Sequence, residues 1–109
     1  MTTYNKGDIL LVSFPFTTGA SGKNRPALVV LDSGDNDVLV ARVTTQRHGT
    51  ASDISIVHWR AAGLLAPSQV RLEKLVTLEK SLVRRTLGGL QPADKQAVGI
   101  ALQKLFSGW

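Results

Sequence analysis

Arg25 has the context a reactive cation needs. It follows Lys23-Asn24 and precedes Pro26 and the apolar run Ala27-Leu28-Val29-Val30-Leu31. The proline fixes the backbone beside it, and a run of that length and composition reads as a buried strand. Ahead of it lies a stretch of small residues, Thr17-Thr18-Gly19-Ala20-Ser21-Gly22. A flexible cover next to a fixed guanidinium suits an anionic ligand that must enter, be clamped and leave, because the planar fork of donors matches phosphate and carboxylate oxygens. The competing role is a surface arginine paired with Asp8 or Asp32.

A second group is Thr44-Thr45-Gln46, followed by Arg47-His48. The Thr44 hydroxyl can donate to a phosphate oxygen or orient an attacking hydroxyl, though it is too weak a base to take a proton unaided. It can equally satisfy strand-end backbone, and the same holds for Thr45. Gln46 can read a base edge or cap the turn. His48, with an unperturbed pKa of about 6.5, suits proton transfer, or it is simply a solvated loop residue. Lys23, Arg47, Arg71 and Lys74 can line a phosphate track or stand as solvated charges. His58 is expected in packing. Trp59 is expected in the core or an interface, with stacking on a base as the functional alternative. Trp109 is expected against the rest of the fold or a second copy of the chain. The Arg84-Arg85 pair has no assigned role.

The elements that must position these groups follow from the apolar pattern. Ile9 to Phe14 reads as a first strand, covered on both faces because Ile9 to Val12 are all apolar, and Pro15 ends it. Residues 16–24 form the loop and Ala27 to Leu31 a second strand. The polar turn Asp32 to Asp37 leads to a third strand, Val38 to Val43, so the first three strands form an antiparallel meander. Asp53 to Val57 reads as a fourth, half-exposed strand. Trp59 to Gly63 reads as one helical turn closed by glycine. Val70/Leu72 and Val76/Leu78 alternate as in strand, with a break near Glu73-Lys74, and Leu87-Gly88-Gly89-Leu90 reads as a connector. Pro92 opens the one clear helix, with Asp94 in its first turn. Val98, Ala101, Leu102 and Leu105 lie on one face, Gly99 weakens the interior, and Gly108 is the expected stop. Strands first and one helix last describe a small, mainly β fold with a C-terminal helix.

Composition narrows the classes. The 109 residues suit one domain, residues 1–109, and 43% of them are hydrophobic, enough for a core. The absence of cysteine removes disulfides, thiolate metal sites and a cysteine nucleophile, and fits a reducing cytoplasm. No run approaches the roughly 18 apolar residues of a membrane span, and the N-terminus lacks a signal peptide's apolar core. The expected setting is cytoplasmic, with no membrane partner. The net charge of +5 is carried mostly by the second half, which holds eight Lys/Arg against four Asp/Glu. That draws the chain weakly towards polyanions.

Gly7-Asp8-Ile9, the loop, Arg25-Pro26-Ala27-Leu28-Val29-Val30-Leu31, Val43-Thr44-Thr45-Gln46 and the later Val70 to Lys80 stretch resemble the MazF/PemK toxin family in order and spacing. The resemblance covers essentially the whole chain. It implies an SH3-like small barrel of the CcdB/MazF type with a C-terminal helix, assembled as a homodimer. It implies the toxin component of a type II toxin–antitoxin system, a metal-independent, cofactor-free, sequence-specific endoribonuclease. Such an enzyme leaves 2′,3′-cyclic phosphate and 5′-hydroxyl ends on single-stranded mRNA. Arg25 and Thr44 then become the catalytic pair, and Lys23, Gln46, Thr45, Arg71 and His48 substrate-binding residues. The implied partners are single-stranded RNA and an acidic antitoxin protein, with operator DNA reached only through that antitoxin. Two departures stand out. The loop lacks the acidic residue or glutamine often found after its glycine, and Lys74 stands where some members carry glutamine. The alternatives are a non-catalytic toxin on the same barrel, of the gyrase-poisoning type, and an inactive regulator that still binds an antitoxin.

Overall fold

The computed structural model describes residues 2–14 and 23–109. The expected loop cover therefore falls outside the described residues, except for Lys23 and Asn24. The elements are β1 (Asp8–Phe14), β2 (Lys23–Leu31), β3 (Asp37–Thr44), β4 (Asp53–Ser55), β5 (Gln69–Glu79), a 3-10 turn at Lys80–Leu82, β6 (Val83–Gly89) and α1 (Pro92–Leu105). All pairings are antiparallel, in the order β4-β5-β3-β2-β1-β6. The expected meander is β1-β2-β3, and the mainly β class with a C-terminal helix is borne out.

The sheet ends at β4 and β6, so among the described residues no ladder closes it into the barrel that the resemblance implies. It must curl nonetheless. In a flat sheet β5 and β6 would lie four strand spacings apart, about 19 Å. Glu79 and Val83 are joined through the three residues of the 3-10 turn, and four residues of chain reach at most about 14 Å. The connection is shorter than the flat distance, and curvature makes up the difference.

Curling gives each face a core. On one side Leu10, Val12, Phe14, Ala27, Val29, Val38, Val40 and Leu78 pack together, with Tyr4, Val76, Leu82 and Val83 at the margin. On the other side Ile9, Leu28, Ala41, Val43, Val70 and Leu72 meet Val98 of α1. Alternation along β1 sends Ile9 to one core and Leu10 to the other, which is why the strand reads as continuously apolar.

Four expectations needed adjusting. First, β2 begins at Lys23, so Pro26 lies within a central strand. It faces Leu11 of β1, and the ladder to β3 starts only at the next residue, Ala27. Second, β4 stops at Ser55 because the Asp94 carboxylate accepts the Val57 and His58 N–H groups, at 3.0 and 2.8 Å. Third, the stretch read as a connector, Leu87 to Gly89, is the end of β6. Fourth, α1 ends at Leu105 rather than running to Gly108. Ser107 donates from both N–H and Oγ to the Lys104 carbonyl, at 3.3 and 2.8 Å, and so satisfies a terminal carbonyl earlier.

The glycine-closed turn is present. Leu64 N–H donates to Trp59 O and Gly63 N–H to Arg60 O, each at 3.1 Å, with Gly63 at φ 91°. This is the paired 6→1 and 5→2 closure that a left-handed residue permits, and Trp59 and Leu64 pack in the same core.

Candidate active site

Three strands carry the site. Val12 of β1 stands opposite Arg25 of β2, and Ala27 of β2 opposite Arg42 of β3. Two residues past that last pair stand Arg25, inside β2, and Thr44, at the end of β3. Two-residue alternation puts Arg25 on the face of Ala27 and Val29, and Thr44 on the face of Val38 and Val40, which pack in one core. The two side chains therefore share a face of the sheet at the same end of the β2–β3 pair.

Arg25 is half-buried, and its Nε is buried without a hydrogen-bond partner among the described residues. The two carboxylates named as its competing partners are engaged elsewhere. Asp8 accepts the Asn5 N–H at 2.9 Å. Asp32 holds Lys80 Nζ at 2.9 Å and accepts the Tyr4 and Gly34 N–H groups at 2.7 and 2.8 Å. Those two N–H groups and then Lys80 hold its pKa down at about 2. A buried guanidinium nitrogen with no acceptor is costly, and an anionic oxygen would satisfy it.

Thr44 is half-buried, and its Oγ1 accepts the Gln46 N–H at 3.1 Å. The hydroxyl oxygen thus serves strand-end backbone, as one reading anticipated, while its proton stays available for donation. Thr45 and Gln46 are exposed. With Arg47, Ser68 and Gln69, Thr45 lines a cavity of about 260 Å³ beside the end of β3. His48 is half-buried, its main chain held by the Gln69 side chain. Lys23 is exposed at the start of β2.

Arg71 is differently placed. Its Nε donates to Asp53 Oδ1 at 2.9 Å, with the two side chains 19% and 2% exposed. Burial pushes the Asp53 pKa up, but the Thr50 hydroxyl, Arg71 and the Thr50 N–H together outweigh it, and the net shift is downward. Arg71 is therefore first a tie between β4 and β5. Lys74 is exposed where a break was expected; β5 instead runs on as one strand, and only its pairing with β3 slips between Ala41 and Arg42. His58 is exposed rather than packed, while its main-chain N–H is held by the buried carboxylate of Asp94 in the first turn of α1. Trp59 joins the core and carries Arg60 over its ring at 4.9 Å. Trp109 is fully exposed and does not pack on its own chain.

Sequence reasoning missed Gln69 and Asp94. Gln69 follows Ser68 at the head of an alternating strand and looks like an ordinary polar position. Asp94 has a first-turn signal, but nothing local shows that it holds a turn 36 residues away.

A family profile described as "PemK-like, MazF-like toxin of type II toxin-antitoxin system" matches residues 5–106. Among solved structures, the Mycobacterium tuberculosis toxin MazF-mt6 superposes with a TM-score of 0.76 at 23% identity, covering 94% of this chain and 99% of that one. An endoribonuclease in complex with its cognate antitoxin from Mycobacterial species gives 0.76 at 21%, covering 95% and 96%. A MazE-MazF structure from Deinococcus radiodurans gives 0.72 at 18%, with both chains fully covered. At these identities the likeness speaks for the fold. No curated protein matches the chain in sequence.

Proposed function

The chain belongs to the PemK-like, MazF-like toxin family of type II toxin–antitoxin systems, and on that premise we propose that it is a metal-independent endoribonuclease acting on single-stranded RNA. The observation that carries this reading is the buried Nε of Arg25, without a partner among the described residues, on the same sheet face as Thr44. Family membership supports it, and so does the fold shared with an endoribonuclease solved in complex with its cognate antitoxin.

In the reaction the ribose 2′-oxygen attacks the adjacent phosphorus and the bond from phosphorus to the 5′-oxygen breaks. The 2′-hydroxyl gives up its proton and the departing 5′-oxygen gains one. A 2′,3′-cyclic phosphate and a 5′-hydroxyl result. Negative charge gathers on the non-bridging oxygens as the phosphorus becomes five-coordinate. Arg25 meets that charge with donors already in place, which is where preorganised electrostatics act most strongly. Thr44 donates its hydroxyl proton to the same phosphate and fixes its orientation. Lys23, Thr45, Gln46 and His48 contact the flanking nucleotides, while Arg71, held by Asp53, is the least available of the five binding candidates. The +5 charge favours the polyanion. A homodimer and an acidic antitoxin that competes for the same basic surface complete the reading, in the cytoplasm.

The test is incubation of the purified protein with a long mixed-sequence single-stranded RNA in EDTA, followed by mapping of the new ends. Cleavage with 2′,3′-cyclic ends that vanishes in Arg25→Ala is expected. RNA left intact over a broad range of sequences and protein concentrations overturns the reading, and antitoxin binding without cleavage would then make this chain an inactive regulator.

A further inference from the structure

We infer that Gln69 is a positioning residue for Thr44, a splint that holds the segment from Thr44 to His48 in the shape the reaction uses. The inference rests on the nuclease reading and adds a residue to it. Three connections carry it. Thr44 and Gln69 are paired across β3 and β5, where β3 ends and β5 begins. Gln69 Oε1 accepts the His48 N–H at 2.8 Å, and Gln69 Nε2 donates to the His48 carbonyl at 3.1 Å. Between these two anchors, Thr44 Oγ1 accepts the Gln46 N–H at 3.1 Å.

The result is a small closed ring. One side is the strand pair, the other is the four-residue step from Thr44 to His48, and the carboxamide closes it from both directions. A single residue held as donor and as acceptor cannot rotate without losing both bonds. A loop of small and polar residues would otherwise sample many conformations. Gln69 is half-buried, so water replaces those bonds only in part.

For Thr44 the consequence is directional. With an oxygen lone pair occupied by Gln46 N–H, the hydroxyl proton turns away from that bond, towards an acceptor outside the loop. For Thr45 and Arg47 the consequence is placement, since both line the cavity whose wall includes Gln69. No feature of the core requires an amide here. A carboxamide is the side chain that both accepts from and donates to one residue's main chain.

The experiment compares cleavage kinetics of the native protein, Gln69→Met and Gln69→Glu, each with Thr44 intact and as Thr44→Val. Gln69→Met keeps the side-chain length and loses both bonds. Gln69→Glu keeps the acceptor for His48 N–H and serves if the first variant folds poorly. With Thr44 intact, kcat is expected to fall roughly 10- to 100-fold, as for loss of orientation. In the Thr44→Val background the same substitutions are expected to change kcat less than about twofold, because the effect that runs through Thr44 is gone, while KM still rises through Thr45 and Arg47. Exchange of the His48 N–H is expected to accelerate in Gln69→Met. Equal losses in both backgrounds, or variants as fast as the native protein, overturn the splint. If the native protein itself cleaves no RNA, the nuclease reading falls first, a result distinct from an active enzyme indifferent to Gln69.

Discussion

Arg71 Nε lies 2.9 Å from Asp53 Oδ1, and this contact attaches the three-residue strand β4 to the long strand β5. Asp53 also accepts the Thr50 hydroxyl at 2.7 Å and the Thr50 N–H at 3.1 Å, so one carboxylate organises the entry to β4. A strand of three residues has few ladder bonds of its own, and the ion pair supplies what the ladder lacks. Arg71→Ala is expected to lower stability by about 1.5–3 kcal/mol, the range for a hydrogen bond to a charged group whose partner stays behind. Urea unfolding checks it, and a loss under about 0.5 kcal/mol would mark the pair as a surface contact.

Arg25 separates function from stability. Its buried Nε has no acceptor among the described residues, so removing the side chain relieves an unsatisfied donor while trimming some packing against the sheet. Arg25→Ala is expected to cut RNA cleavage by roughly 10²- to 10³-fold with little change in melting temperature. Arg25→Lys is expected to restore little, since an ammonium cannot present the planar fork. Full activity in either variant would remove this residue from the chemistry.

Acid should weaken the N-terminal anchor through Asp32. Its folded-state pKa of about 2 lies below its ordinary 3.8, owing first to the Tyr4 N–H, then the Gly34 N–H and Lys80. A depressed carboxyl contributes stability that is complete above its unfolded pKa and lost as pH falls towards the folded value. The native protein is therefore expected to lose stability relative to Asp32→Asn between about pH 4 and pH 2. Denaturant titrations of both proteins across that window decide the matter, and parallel curves would contradict it.

Two glycines allow one backbone to touch another. A Cβ on Gly63 would overlap the Leu87 carbonyl oxygen, and one on Gly88 would overlap the Ala62 carbonyl oxygen. Gly63 also sits at φ 91°. Gly63→Ala is expected to cost roughly 2–4 kcal/mol, from overpacking and left-handed strain together. Gly34→Ala has the strain, at φ 89°, but open space around it, and should cost only about 1–2 kcal/mol. Thermal melts of the two variants should rank in that order.

The contact between the 62–63 turn and β6 also explains which parts of the fold were legible. β1 to β3 declare themselves by unbroken apolar runs, since both faces are covered. The slip in pairing within β5 around Glu73-Lys74 shows as a lapse in alternation, though the strand itself runs on, and the helix shows by Pro92 and its apolar stripe. β6 did not show. It pairs with β1 at the rim and exposes Arg84, Arg85 and Thr86. Its Gly88 is kept small for a turn far back in the chain, so the pattern reads as connector.

The candidate site divides in the same way. Local sequence determined that a guanidinium would stand at the head of a buried strand and a hydroxyl at the tail of another, because proline, loop glycines and apolar runs act on near neighbours. Only the tertiary structure decided that Arg71 is bound to Asp53, that Asp94 holds the turn after β4 and that Gln69 grips the main chain of His48. Each of those links joins residues 18 to 37 positions apart. Hydrogen bonds over such separations depend on how the curled sheet brings strand ends together, and no periodicity within a strand encodes that.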